Sequence, residues 1–191
     1  MKIAEGKTII TREQYELAQR QAVTLKEATA TEWYFKNDNH FDNIERLYQL
    51  KFVGTFNNVS YKCMMDLAII DHENKIIYPC DLKTCGVAEW DFHTNFLKYH
   101  YQLQARLYSR ILKQCIEKDE YFKDFPIANY RFIVINKETL CPLVWEFEDT
   151  HKYGNLTYGK DIMMKDPFEL GEELNYYLSH EDKIPHGISE D

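Results

Sequence analysis

The feature that most constrains the fold is the segment from Met64 to Cys85, MMDLAIIDHENKIIYPCDLKTC. Two apolar, β-branched runs flank the polar turn DHENK, which is typical of two antiparallel strands joined by a tight connection. Each run also carries an aspartate among its apolar residues, Asp66 in the first and Asp81 in the second. Because partly buried charge is costly, a chain that keeps both aspartates is expected to use them.

The patterns on either side of this segment predict a sheet. A further strand precedes it in IERLYQLKFVGTF, and the stretch from Gly54 to Asn58 supplies the turn into the second strand. Two more strands, YRFIVINKE and PLVWEFE, follow the helical segment YQLQARLYSRILKQCIEKD. The order α-βββ-α-ββ-α predicts an α/β fold with a mixed central β-sheet flanked by helices.

Helical periodicity also predicts a first and a last helix. Thr11 is a candidate N-cap for the first, whose predicted buried stripe is Tyr15, Ala18, Ala22 and Leu25. The last helix is expected in DPFELGEELNYYLSHED, with residues 180–191 as a tail. Between the third strand and the central helix, CGVAEWDFHTNFLKYH lacks clean periodicity and is predicted to be an ordered aromatic loop.

Length and composition predict one domain over residues 1–191. The 191 residues are 45% hydrophobic, which is enough for a single core. No signal peptide and no run of about 18 apolar residues occurs, so a soluble, cytoplasmic protein without a membrane partner is expected. The net charge of -8 argues against a basic surface that coats nucleic acid, but not against a nuclease with an acidic centre.

The spacing of Asp81 and Lys83 places both side chains on one face of a strand, because side chains alternate. A neighbouring strand can bring Asp66 close to this pair. Two adjacent carboxylates repel one another unless a cation lies between them, and Mg²⁺ suits such a position. In the alternative interpretation, the aspartates lie at frayed strand edges and Lys83 is an ordinary ion-pair partner. The residues alone leave both interpretations open.

The central helix adds a second group of candidates. Gln104 and Tyr108 are four residues apart and share one helix face, where they could contact a phosphate or a base, or form an amphipathic border. Candidate stacking residues in the preceding segment are Trp90, Phe92, Phe96 and Tyr99, although anchoring in the core is the commoner role. Candidate phosphate contacts are Lys98, Arg106, Arg110 and Lys113, although a solvated helix face explains them equally well.

Taken together, these motifs resemble the PD-(D/E)XK nuclease superfamily, and more closely its phage-type branch akin to exonuclease VIII (RecE). Members show a strand with an essential Asp, a turn, a strand reading DLKT, and a helix reading Y-x-x-Q-x-x-x-Y. The corresponding pieces here are MMDLAII, PCDLKTC and YQLQARLY. The similarity spans about Ile44 to Ile116 and implies a restriction-endonuclease-like fold.

The resemblance implies a role for each matched residue. The implied metal ligands are Asp66, Asp81 and the backbone carbonyl of Leu82. Asp66 and Asp81 would also be catalytic together with Lys83, as the catalytic lysine. The implied DNA-binding residues are Thr84, Gln104 and Tyr108.

The family reaction is hydrolysis of phosphodiester bonds with Mg²⁺, or with Mn²⁺ in its place. In this branch it is typically processive resection of double-stranded DNA ends in phage-type recombination, feeding a single-strand annealing protein. Members are often toroidal homo-oligomers that thread the duplex. These properties are expectations for this chain.

Two features depart from the family pattern. Asp81 stands where Glu is more widespread, which the family name allows. The acidic or histidine residue of an early helix has no recognisable motif, although Glu13, Glu16, Glu27 and Glu32 occur there. Relatives also carry more sequence before this point, so the domain is expected to lack an upstream segment. Three functions therefore stay open: an exonuclease, an endonuclease, and a nuclease-fold module that binds nucleic acid or protein without cutting.

Overall fold

The computed structural model describes residues 9–36, 43–88, 91–148 and 166–180. The helices are α1 (Arg12–Glu27), α2 (Glu32–Phe35), α3 (Phe92–Lys98), α4 (Tyr101–Ile116) and α5 (Pro167–Ser179). The strands are β1 (Ile44–Phe56), β2 (Val59–Asp71), β3 (Ile76–Cys85), β4 (Tyr130–Asn136) and β5 (Pro142–Phe147).

The five strands form one sheet in the order β1-β2-β3-β4-β5. The first three strands are antiparallel neighbours, β3 and β4 are parallel, and β5 returns antiparallel to β4. Helices α3 and α4 lie between β3 and β4 in the chain, which is the connection that a parallel pair requires. The predicted α/β fold with a mixed, helix-flanked sheet is confirmed.

Two asparagines make the turn between β1 and β2. Asn57 and Asn58 both have positive φ, 47° and 62°, as a two-residue hairpin turn of the primed type requires. Gly54, which the sequence assigned to this turn, instead lies within β1. A Cβ at Gly54 would lie 2.8 Å from Cγ2 of Ile111, so glycine allows α4 to approach β1 closely.

Helices cover both faces of the sheet. The core on the α3–α4 face is built from aromatic and aliphatic side chains, among them Phe92, Phe96, Leu112, Phe132 and Val134. The core on the other face is smaller and contains Leu25 and Tyr34 from α1 and α2 with Leu67, Ile69, Ile133 and Ile135. Residues 132 to 135 alternate between the two cores, as a strand buried on both faces requires.

The alternation of faces breaks once, in β1 and β2. Met65 and Ala68 both belong to the core on the α3–α4 face, although residues three apart on a regular strand point to opposite faces. The β1–β2 ladder keeps a single register but omits the pair Gln49–Asp66, and Gln49 has a φ of 51°. The backbone is therefore distorted at this pair, and beyond it the side chains of β1 and β2 point to the faces opposite to those that regular alternation predicts. Asp66 lies at this distortion.

The predicted helical stripe of α1 is wrong for three of its four members. Thr11 caps the helix in a capping box with Gln14, as predicted. Leu25 is buried, but Tyr15, Ala18 and Ala22 are exposed. The chain turns at Ala28 and forms the short helix α2, whose Tyr34 is buried beside Leu25 in the smaller core.

The predicted aromatic loop is also wrong in part, because Phe92–Lys98 forms the helix α3. Phe92 and Phe96, four residues apart, are both buried, so this short helix has an apolar side. Seven residues are too few for a clear period in the sequence. Trp90 lies outside the described residues.

The turn from β2 to β3 is organised by the carboxylate of Asp71. Its Oδ1 accepts hydrogen bonds from the backbone N–H groups of Glu73 (3.1 Å) and Asn74 (2.8 Å), and its Oδ2 accepts from Nδ2 of Asn74 at 2.8 Å. Burial acts to raise the pKa of Asp71, but the hydrogen bonds from Asn74 and Glu73 outweigh it and hold the pKa below its ordinary value.

We expect Asp71→Ala to lower the free energy of unfolding by about 1–3 kcal/mol at neutral pH, because the turn loses its acceptor. A depressed folded pKa means that this contribution is present above the unfolded pKa and is lost as the pH falls through the folded one. The difference from wild type in urea unfolding should therefore narrow towards acid pH. The substitution Asp71→Asn removes the charge but keeps one acceptor oxygen. Its free energy of unfolding should therefore lie between those of wild type and Asp71→Ala. A difference in unfolding free energy between wild type and Asp71→Ala that does not change with pH would contradict this account.

Candidate active site

The sheet forks where the two sequence-predicted aspartates lie. The β2–β3 pairs run from Asp71–Ile76 to Leu67–Cys80 and stop there. Beyond this point β2 stays paired with β1, whereas β3 pairs with β4 as far as Cys85. Asp66 and Asp81 are the first residues past the last β2–β3 pair. Both therefore lie at this divergence of β2 and β3, here called the fork.

Asp66 bridges the fork with its side chain. Its Oδ2 accepts a hydrogen bond from the backbone N–H of Leu82 at 3.0 Å, a group that no longer has a ladder partner on β2. The N–H and C=O of one strand residue point to the same neighbouring strand. The carbonyl of Leu82 therefore also faces the fork, on the side of Asp66.

Asp81, Lys83 and Gln104 form a closed triangle of polar contacts. Nζ of Lys83 lies 2.6 Å from Oδ2 of Asp81, and Nε2 of Gln104 donates to Oδ1 of Asp81 at 2.6 Å. Lys83 also donates to Oε1 of Gln104 at 3.1 Å. Asp81 is 3% exposed, so the groups that compensate its charge are these two side chains rather than bulk water. The strand alternation that predicted Asp81 and Lys83 on one face is thus observed.

The charge of Asp81 is electrostatically costly in this position. Burial raises its pKa, the contacts with Lys83 and Gln104 lower it, and the nearby charge of Asp66 raises it again, with a net increase. A raised folded pKa of an acid means that the folded chain loses stability as the pH rises through the interval between the unfolded and folded values. A further positive charge at the fork would relieve this cost.

An aromatic ring forms one wall beside Lys83. Nζ lies 4.6 Å from the ring centroid of Tyr101, within the range of a cation–π interaction. Tyr101 is the first residue of α4, three positions before Gln104, so one helical turn supplies both contacts to the lysine. Tyr101 opens the helix motif Y-x-x-Q-x-x-x-Y, but the sequence analysis assigned it no role.

The predicted DNA-binding residues beyond Gln104 have different positions. Tyr108 is half-buried, packs edge-on against Phe52 at 6.1 Å and forms a hydrogen bond with the backbone of Met64, so it braces β2 near Asp66. Thr84 is exposed and shares a strand face with Leu82 rather than with Asp81 and Lys83. The structure brings Gln104 into the site but leaves Thr84 on the other side of the sheet.

Tyr130 is a neighbour that the sequence analysis missed. Its side chain is 2% exposed, and its hydroxyl has no hydrogen-bond partner among the described residues. Burial raises the pKa of Tyr130, and the charges of Asp81 and Asp66 add to the increase. Phe132, two residues further along β4, is the register partner of Asp81. No sequence signal identifies this long-range proximity.

The donors at the fork fit a hard divalent cation. Two carboxylates and a carbonyl are oxygen ligands of the kind that Mg²⁺ takes together with several waters. Within the described ranges, no three His, Cys, Asp or Glu side chains are grouped to hold a metal. Accordingly none of Glu13, Glu16, Glu27 and Glu32, on the early helices, supplies the third acidic ligand.

The candidate phosphate contacts differ in accessibility. Lys98 and Lys113 are exposed, the latter 3.9 Å from Glu117. Arg110 forms an ion pair with Asp166, at the N-cap of α5, and Arg106 is 3% exposed. The positive charge of α4 is therefore used mainly inside the protein.

Comparison with solved structures supports the fold. A crystal structure of a "putative exonuclease" from Eubacterium rectale matches with a TM-score of 0.54 and 12% sequence identity. The match covers 91% of this chain and 58% of that one, so the chain spans little more than half the length of this structural neighbour. No protein-family model and no curated protein matched the sequence. Among the described helices, none has the length and apolarity to cross a bilayer.

We expect Gln104→Leu to lower the free energy of unfolding by about 1–3 kcal/mol, because the buried Asp81 and the partly buried Lys83 each lose a hydrogen-bond partner. The matched control is Gln19→Leu on α1, an exposed glutamine whose side chain donates one hydrogen bond to the Tyr15 hydroxyl at 3.1 Å, and its effect should be small. In an Asp81→Asn background the loss caused by Gln104→Leu should shrink, as a double-mutant cycle by urea unfolding would show. Equal effects of the two glutamine substitutions would contradict the triangle.

Proposed function

We propose that the protein is a Mg²⁺-dependent deoxyribonuclease, an exonuclease that resects double-stranded DNA ends. The observation that carries this proposal is the fork. There the Asp66 carboxylate accepts a hydrogen bond from the Leu82 backbone, the Leu82 carbonyl faces the same side, and the Asp81–Lys83 pair lies next to it. Two acidic groups beside an ammonium group form a constellation suited to phosphodiester hydrolysis. The proposal agrees with the word exonuclease in the name of the structural neighbour, whose 12% identity supports only a shared fold.

Each residue of the fork would have a distinct task. Asp66, Asp81 and the Leu82 carbonyl would hold the ion, which when bound polarises a phosphodiester oxygen and lowers the pKa of water. Lys83 would then exchange its contact with Asp81 for the attacking water or the phosphate oxygen. Gln104 would remain as the hydrogen-bond donor that keeps the Asp81 carboxylate in position. This exchange uses the same triangle of contacts that compensates the charge of Asp81.

Further expectations rest on the resemblance in the sequence. They are Mn²⁺ as an alternative ion, a homo-oligomer around duplex DNA, a single-strand annealing protein as partner, and a role in phage-type recombination. DNA is the substrate class that we propose, since the family acts on it. The charge of -8 means that contact with phosphates must be local rather than spread over the whole surface.

The direct test is digestion of linear duplex DNA in millimolar Mg²⁺. We expect wild type to degrade it, and Asp66→Ala and Lys83→Ala to lose activity by at least about 100-fold, the scale of removing one electrostatic contact in a transition state. Lys26→Ala, an exposed lysine near the end of α1, is the matched control and should retain activity. Covalently closed circular DNA should be spared; its cleavage would indicate an endonuclease instead.

A second candidate function is a nuclease-fold module that binds without cutting. The observation that favours it is the lack, in the described part of the chain, of a third acidic or histidine ligand near the fork. It predicts DNA binding by wild type with no release of nucleotides in Mg²⁺ or Mn²⁺. Retained binding together with absent digestion would therefore replace the nuclease proposal with this one.

Ion binding can be tested without activity. A ligand that binds only the folded state stabilises it by about 1.4 kcal/mol at ten times its dissociation constant. Millimolar Mg²⁺ should therefore raise the melting temperature of wild type by a few degrees. Asp66→Asn and Asp81→Asn should abolish the increase, whereas Asp119→Asn, in the loop after α4, should keep it. An identical increase in all four chains would mean that the ion binds elsewhere.

A further inference from the structure

The exposed ring of Tyr99 distinguishes it from its aromatic neighbours. Phe92 and Phe96, the other described candidates for base stacking, are 1% and 5% exposed and belong to the core. Tyr99 is 54% exposed and lies in the turn between α3 and α4. A large aromatic side chain that remains half in water beside a charged site is available to a ligand.

Tyr99 is connected to the fork through one other ring. Its centroid lies 5.7 Å from that of Tyr101, with an interplanar angle of 29°, so the two rings stack with an offset. The Tyr101 ring in turn carries Nζ of Lys83 at 4.6 Å. Tyr99 thus stands one ring away from the lysine of the candidate active site.

The support behind Tyr99 is rigid. Tyr101 stacks on Phe132 (5.6 Å, 25°) and on Phe92 (6.2 Å, 24°), both of which are buried. The backbone of the turn is also fixed, because the N–H of Tyr99 donates to the carbonyl of Asn95 at 3.0 Å. His100 adopts the left-handed conformation, with φ 52° and ψ 40°, which sets the direction of α4 relative to α3. A preformed platform loses little conformational entropy when a ligand stacks on it.

A positive charge accompanies the exposed ring. Nζ of Lys98 lies 5.4 Å from the Tyr99 centroid, and the Lys98 side chain is exposed. An aromatic ring with an adjacent cation matches a nucleotide, whose base stacks and whose phosphate is anionic. It does not match an apolar partner, which would leave the ammonium group uncompensated.

We propose that Tyr99 and Lys98 form a nucleobase-stacking subsite for the terminal base of the DNA strand held at the fork. The ring of Tyr99 stacks on that base, and the ammonium group of Lys98 lies next to its phosphate. This inference rests on the proposed function and adds to it a way to hold a strand end regardless of sequence, because every base has a π-face. Tyr99 is a substrate-positioning residue in this scheme and takes no part in the chemistry.

The experiment uses the full chain with Asp66→Asn, so that bound DNA is not consumed. Duplex DNA carries 2-aminopurine either at a terminal position or about ten base pairs inside, and its fluorescence is quenched when the base stacks on an aromatic ring. We expect quenching at the terminal position only. Tyr99→Phe should keep it, while Tyr99→Leu and Tyr99→Ala should remove it and weaken binding about 5- to 150-fold, the range measured for one stacked base.

Controls separate this subsite from general effects. Tyr15→Ala removes a ring of the same 54% exposure from α1, which contributes to the core on the opposite face of the sheet, and should change neither signal. Lys98→Gln should weaken binding while leaving the quenching of bound DNA intact. In the active chain, Tyr99→Leu should raise KM far more than it lowers kcat.

The outcomes also separate this inference from the proposed function. If wild type digests linear DNA but Tyr99→Leu binds and quenches like Tyr99→Phe, the subsite is wrong and the nuclease stands. If wild type binds DNA without digesting it and quenching still depends on Tyr99, the subsite stands and the nuclease fails. If the chain binds no duplex DNA, both are wrong.

Discussion

A carboxylate that is 3% exposed requires compensation from inside the protein, and Asp81 obtains it from Lys83 and Gln104. The two partners come from different elements, one from the same strand and one from α4. The contact between Gln104 and Asp81 therefore requires α4 to pack at a defined distance from the sheet. Gly54 permits this helix to approach β1 closely. The charge of Asp81 thus constrains the position of α4, because an unpaired buried charge would cost several kcal/mol.

The divergence of β2 and β3 at the fork determines the contact that holds the second carboxylate, Asp66. In an uninterrupted β2–β3 ladder, the Leu82 N–H would be used by a backbone carbonyl and Asp66 would have no such donor. The divergence of the strands frees that N–H, and the distortion opposite Gln49 sets Asp66 at the point where β2 changes face. The irregularities of the sheet and the polar residues of the site are therefore the same feature.

The sequence was sufficient for features that depend on local periodicity. Alternation placed Asp81 and Lys83 together, apolar runs located the strands, and a four-residue spacing led to Gln104. It failed where the outcome depends on distant partners. The exposed side of α1 could not be recognised, because the bend at Ala28 and the added helix α2 decide which side meets the sheet. The proximity of Tyr130 to the aspartates arises from the pairing of β3 with β4 across about fifty residues, which no local pattern encodes.

Under the proposed function, charge and aromatic surface would divide the task of holding a polyanion. A net charge of -8 repels DNA at long range, and much of the positive charge of α4 is committed to internal contacts such as Arg110 with Asp166. Stacking is far less sensitive to salt than phosphate contact, because it releases no counterions. In the proposed subsite, the rigid ring of Tyr99 would therefore hold a strand end that the overall electrostatics would not attract. It would also favour ends over continuous duplex, since a base inside a helix is already stacked on both faces and offers none to Tyr99.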